Sequence, residues 1–205
     1  AGPVFARFMA DHEYVYKPGP TTQPAGELSP GTRLFNERVV CRVFPTTPAG
    51  RAIDVDLTLT ALQDDLKIGG ETLLNKGYGG FTLRFSTSQQ GQATSPRIAA
   101  DSGLVEKDTV NHLKAVWVDW TGFFLGPDRS RMTHRSGGAV FVHPSHPPLP
   151  ASPPEWITRA YGPINVAYPG LEMLEIPKDK PLRLRYRVWL HRGDAVEGQV
   201  GGQYD

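Results

Sequence analysis

Apolar and polar residues alternate along several stretches of this chain, and the period is two. Across residues 51–60, Ile53, Val55, Leu57 and Leu59 fall on one side, and Asp54, Asp56, Thr58 and Thr60 on the other. A strand that buries one face has this alternation, because successive side chains point to opposite faces of a sheet. The same pattern runs through residues 81–86 and 182–191. Shorter or wholly buried strands are expected at residues 37–44, 114–120, 138–142 and 164–168, which are rich in β-branched and aromatic residues. Seven strands suffice for two packed sheets. The expected fold is therefore an all-β antiparallel β-sandwich, of supersandwich or jelly-roll type, with few or no long helices.

The punctuation agrees with that pattern. Twenty-two glycines and 19 prolines interrupt the chain too often for long helices and suit short strands joined by turns. A length of 205 residues fits one sandwich domain, placed at residues 35–194 between a Pro/Gly-rich arm (1–34) and a short tail (195–205). Three irregular stretches stand out: the extended lead-in at 17–31, a long loop at 62–80 carrying Lys76-Gly77-Tyr78-Gly79-Gly80, and the proline-dense segment 143–154.

Charge narrows the partners. Lys plus Arg (22) nearly cancels Asp plus Glu (21), so neither nucleic acid nor an anionic membrane surface is expected as a partner. No stretch has the roughly 20 apolar residues of a membrane span. The single cysteine, Cys41, lies in an apolar run and reads as a small buried hydrophobe, and it has no partner for a disulfide or a structural zinc site. The N-terminus has no signal-peptide pattern but begins at Ala1, which leaves secreted, periplasmic and cytoplasmic locations open.

The richest chemistry lies in residues 143–162. His143, His146, Glu155, Trp156, Arg159 and Tyr161 are read there as a loop site following a buried strand. Trp156 and Tyr161 offer faces for a sugar ring, and Arg159 offers a fork for a carboxylate. His143 and Glu155 are the candidate general base and acid, with Arg159 steadying developing negative charge. The bland alternative is a stiff surface crossing whose aromatics plug the core. His143, His146 and His191 make a conceivable three-nitrogen metal site, but a proline-rich loop does not fix its geometry, and no cofactor is expected.

Two further groups qualify. Arg183, Arg185, Arg187, Trp189 and His191 share one face of the last strand. That face is either a ladder of charges against Asp54 and Asp56, or the wall of a groove for an anionic or polyhydroxylated ligand with His191 at its rim. Lys76 and Tyr78, entering the strand that carries Arg84, are candidate ligand contacts. A strand rather than a helix follows these glycines, so they favour a tight turn and close backbone approach over a phosphate cradle. Asp119, between Trp117 and Trp120, reads first as a hydrogen-bonded strand residue and second as a site acid. No Gly-x-Ser-x-Gly elbow accompanies Ser102, which argues against a hydrolase triad.

Taken together, residues 76–84 (KGYGGFTLR), 115–122 (AVWVDWTG), the GAVFVHP run ending at Pro144, 156–162 and 182–193 resemble a family of bacterial domains of unknown function, DUF6807, often labelled "methane oxygenase". The resemblance spans roughly residues 35–194. It implies a β-sandwich and a link to carbohydrate metabolism. It does not imply methane oxidation, which belongs to a membrane-embedded copper enzyme. The chain departs from the family pattern in lacking an upstream Asp-His-His-Arg-Gly-like segment and in carrying Ile157 where a second histidine is usual. The expectation is a carbohydrate-binding or carbohydrate-processing sandwich, with epimerisation, elimination and hydrolysis all open. The alternative is a non-catalytic binding or assembly module that reaches a protein partner through its N-terminal arm.

Overall fold

In the computed structural model, residues 5–17, 28–70, 72–85, 93–125, 130, 133–146, 153–178 and 180–203 are described. They form an all-β antiparallel structure without an α-helix. The larger sheet has eight strands in the order β1 (Ala6–Val15), β2 (Arg33–Val43), β3 (Gly50–Ala61), β14 (Leu182–Arg192), β10 (Ser136–Val142), β9 (Trp117–Phe124), β6 (Ala93–Ala100) and β7 (Gly103–Val105). A four-stranded sheet covers it, in the order β5 (Thr82–Arg84), β12 (Pro163–Val166), β11 (Glu155–Arg159) and β8 (Thr109–Lys114). A two-stranded ribbon joins β13 (Leu174–Glu175) to β4 (Lys67–Ile68). Among the described residues no helix is long and apolar enough to cross a membrane.

The core lies between the two sheets. Trp120, Val140, Tyr186 and Val188 from the larger sheet meet Trp156, Ile164 and Val166 from the smaller one. The period-two pattern decides these inward positions: in β3, Val55 and Leu59 are buried, while Asp54 and Asp56 face the other way. Covering is uneven, however. The inner face of β1 lies beyond the smaller sheet, leaving Phe8 62% and Tyr14 43% exposed, although Tyr14 stacks on Phe35 at 4.3 Å.

Several elements differ from their sequence expectation. Residues 6–15, read as part of an arm, are strand β1, which is exposed along its whole length and held by pairing with β2. Residues 18–27 of the lead-in lie outside the described residues, as do residue 86 of an expected strand and residues 147–152 of the proline-dense segment. Residues 114–120 are not one strand: the chain leaves the covering sheet at Lys114 and enters the larger sheet at Trp117, and the Val116 amide donates to Asp101 Oδ1 (3.0 Å) at the crossing. The largest correction concerns residues 155–159, read as a loop. They form the central strand β11, with Trp156, Ile157, Thr158 and Arg159 all buried. A strand covered on both faces has no alternation to announce it.

Candidate functional site

The residues expected to form one loop site fall in different places. Trp156, proposed as a stacking face, is 0% exposed, and its Nε1 donates to the Ala115 carbonyl (2.7 Å), so it is a core residue and offers no surface to a ligand. Glu155 and Arg159 lie on the face of the covering sheet turned away from the core. Glu155 pairs there with His112 rather than His143, at 2.8 Å from His112 Nδ1, while His112 Nε2 donates to the Asn75 carbonyl at 2.9 Å. With acceptors on both ring nitrogens, Glu155 first and the Asn75 carbonyl second, His112 is raised above its ordinary value. The Arg159 guanidinium donates to Val110 O, Thr158 O and Asn111 Oδ1, and lies 5.7 Å over the Tyr78 ring. Arg84 stands 5.6 Å over Tyr161.

Arg159 and Tyr161 of the expected loop site thus meet Tyr78 and Arg84 of the separately read Gly-rich group, with Lys76 half-buried on the adjoining loop. Their chemistry is largely spent on structure. Asn165, fully buried on β12, donates to Gly79 O (2.7 Å), Phe81 O (3.2 Å) and Thr82 Oγ1 (2.7 Å), fastening the Gly-rich loop to the sheet. Close approach at this loop demands glycine: Gly80 has φ +66°, and a Cβ there would lie 2.7 Å from the Val166 carbonyl oxygen.

His143 sits on the outer face of the larger sheet. Its Nδ1 accepts from the Ser145 amide (3.1 Å) and lies 2.8 Å from Ser145 Oγ, to which Arg185 also donates. Burial, then the neighbouring Arg185, push this imidazole below its ordinary value. Beside it, Arg187 grips Asp54 through Nε (2.7 Å) and Nη2 (3.2 Å), and Asp56 takes Arg185 (2.8 Å) and Arg42 (2.5 Å). Of the two readings of this face, the ladder is the one formed. His146 turns elsewhere, its Nε2 3.3 Å from the Tyr186 hydroxyl and its ring edge-on to Tyr168. His143, His146 and His191 thus have separate surroundings, and no group of three His, Cys, Asp or Glu suited to a metal occurs among the described residues.

A different constellation appears around Asp119 and His191. Register explains it. On the outer face, Asp119 of β9 is flanked by Ala99 on β6 and Ala139 on β10, and Thr121 by Arg97 and Gly137. His191 lies opposite Gly137, which has no side chain to obstruct it, and reaches diagonally over β10 to Asp119. Its Nε2 donates to Asp119 Oδ1 at 3.0 Å, with the two side chains 0% and 2% exposed. Its Nδ1 donates to the Arg192 carbonyl at 3.1 Å. Burial opposes a charge on this ring, but the hydrogen bond and charge of Asp119 outweigh it and raise His191 above its ordinary value. Among the described residues, no hydrogen bond reaches the second oxygen of Asp119.

The residues read as a tail complete this site. Asp194 Oδ1 accepts from the Val196 and Glu197 amides, Glu197 Oε2 accepts from the Asp194 amide, and the Gly198 carbonyl accepts from Trp189 Nε1 (2.8 Å). The turn so fixed presses Val200, 0% exposed, onto Ala139, Phe141 and Trp189. Gly198 rests on the imidazole itself, where a Cβ would collide with His191 Nδ1. Between this turn and the sheet is a cavity of about 480 Å³, lined by Trp117, Asp119, Thr121, Arg97, Asp194 and Gln199 among smaller apolar and glycine residues. Sequence reasoning named Asp119 and His191 singly and missed their pairing. The available signal was a charged residue inside a strand of otherwise core-like residues, WVDWTGFF, since a buried acid requires a partner.

No curated protein and no solved structure matches the chain at a significant level. A family model matches it from end to end, over residues 1–205. The chain therefore belongs to the family of unknown function DUF6807, and the Asp119–His191 cavity is a feature of a member of that family.

Proposed function

We propose that this chain binds a carbohydrate or a closely related polyhydroxylated small molecule in the cavity between β9 and the turn at residues 194–202. One observation carries the reading: a hollow of about 480 Å³ combines the aromatic wall of Trp117 with the buried carboxylate of Asp119. Sugars present an apolar ring face and a periphery of hydroxyls, so their sites pair an aromatic surface with a few fixed acceptors and donors. Asp119 is an acceptor held in place by His191, while Thr121 and Gln199 supply neutral polar groups, and Arg97 donates. His191 beside it keeps the Asp119 carboxylate from being an isolated buried charge. This keeps the carbohydrate expectation but moves its site from residues 143–162 to the outer face of the larger sheet around Asp119.

The test is isothermal titration of neutral monosaccharides and disaccharides. Binding is expected in the parent chain, with a loss of tenfold or more, about 1.4 kcal/mol, in Trp117→Ala and in Asp119→Asn. Arg84→Ala, on the outer face of the covering sheet, leaves it intact. Binding that survives Trp117→Ala but disappears with Arg84→Ala would return the site to the Gly-rich loop. A second reading, as a non-catalytic assembly module, is favoured by β1, whose Phe8 and Met9 are 62% and 56% exposed on opposite faces of an edge strand. A monomeric mass in light scattering across concentration would count against self-assembly.

A further inference from the structure

The cavity does not end at the turn. Arg97 and Asp194 line both it and a neighbouring hollow of about 740 Å³, whose walls include Arg135, Arg192, His134 and Glu197. The acids there are engaged: Asp194 and Glu197 accept from backbone amides of their own turn. The Arg135 guanidinium donates to the Ser95 and Thr121 carbonyls and stands 4.8 Å over the Phe123 ring. Arg97, Arg192 and His134 make no side-chain hydrogen bond or ion pair with any described residue. Among the described residues, the walls of this hollow thus carry three arginines, Arg97, Arg135 and Arg192, against two carboxylates, Asp194 and Glu197, while Asp119 in the adjoining cavity is paired with His191.

Register fixes where that charge meets the ligand. Arg97 stands directly across β6 and β9 from Thr121, one pair along from Ala99 and Asp119, so its guanidinium lies beside the cavity floor. An arginine on a strand with no partner among the described residues is suited to a planar or tetrahedral anion, which it can hold through two parallel N–H donors.

We infer that the cavity's ligand is an acidic sugar, with its ring against Trp117 and its anionic group, a carboxylate or a phosphate monoester, at Arg97 and Arg192. This rests on the proposed sugar site. The larger hollow takes the anion and whatever the sugar is attached to, while Asp119 faces the uncharged end, where a second carboxylate would be repelled. Neutral sugars then bind through the ring contacts alone, and acidic ones gain a charge-assisted contact.

The experiment titrates the chain with matched sets: glucose, glucuronate and glucose 6-phosphate, then galactose, galacturonate and galactose 1-phosphate. At least one acid is expected to bind about tenfold or more tightly than its parent sugar. A uronate-only preference identifies the carboxylate, and a phosphate-only preference the monoester. That preference is expected to fall towards unity in Arg97→Gln, to shrink in Arg192→Gln, and to weaken as salt is raised, because these side chains are exposed. Acids that bind no better than their parents overturn the inference, and so does a preference that survives Arg97→Gln combined with Arg192→Gln. If neutral sugars bind and are lost in Trp117→Ala while acids show no advantage, only the acidic ligand falls. If no sugar of either kind binds, the sugar site falls with it.

Discussion

Removing the carboxylate of Asp119 tests the site's central interaction directly, because the pair it forms with His191 is largely withdrawn from water, at side-chain exposures of 2% and 0%. Truncation of one partner of a buried ion pair leaves the other uncompensated, and costs about 3–5 kcal/mol. For a chain of this length that corresponds to a fall of roughly 6–20 °C in Tm. Asp119→Asn is gentler, since the amide keeps an acceptor for His191 Nε2. The change from a charged to a neutral hydrogen bond costs about 1–2 kcal/mol. pH separates these effects from general damage. His191 is raised above 6.5 when folded, so the folded chain holds its proton more tightly than the unfolded chain does. The pair's contribution is fully present below about pH 6.5 and is lost as pH rises through the folded value, with a slope of at most about 1.4 kcal/mol per unit. Urea unfolding of the parent and Asp119→Asn at steps from roughly pH 5.5 to 9.5 should therefore show the stability gap widest at the acid end and narrowing upward. Parallel curves over that range would refute the ion pair.

Further outcomes follow from the same geometry. Gly198→Ala drives a methyl group into His191 Nδ1 and should lift the turn at residues 194–202, measured as faster amide exchange there and weaker sugar binding. Asn165→Ala removes the donor that fastens Gly79, Phe81 and Thr82; a loss of about 2 kcal/mol and faster exchange at residues 76–81 are expected, and unchanged exchange would contradict the clamp. Burial alone would raise the Asp56 carboxyl, but the bonds from Arg185 and Arg42 hold it below 3.8. Its contribution is present above 3.8 and lost as pH falls through the lower folded value, so acid unfolding of Asp56→Asn should show a shallower loss below that point. Trp156→Ala should cost about 3–5 kcal/mol as a core truncation, whereas Trp156→Phe should retain sugar binding in calorimetry.

The sequence alone determined the sandwich and the facing of its half-buried strands. In residues 51–60 and 182–191 each side chain's face is written locally by parity, which sets Asp54 and Asp56 on one face of their strand and Arg185 and Arg187 on one face of theirs; which acid meets which arginine is decided by the register of β3 against β14. Strands covered on both faces lose that parity. Glu155–Arg159 therefore looked like a functional loop, and Trp156 like a ligand platform, when both belong to the interior. Parity also says nothing about which strand lies beside which. Only the order β14, β10, β9 and β6 brings His191 within 3.0 Å of Asp119, 72 positions away in the chain, and sets Arg97 beside them. The residues read as a tail became a wall of the cavity for the same reason: Gly198 and Val200 acquire a role through the surface they land on, and that surface exists once the sheet has assembled.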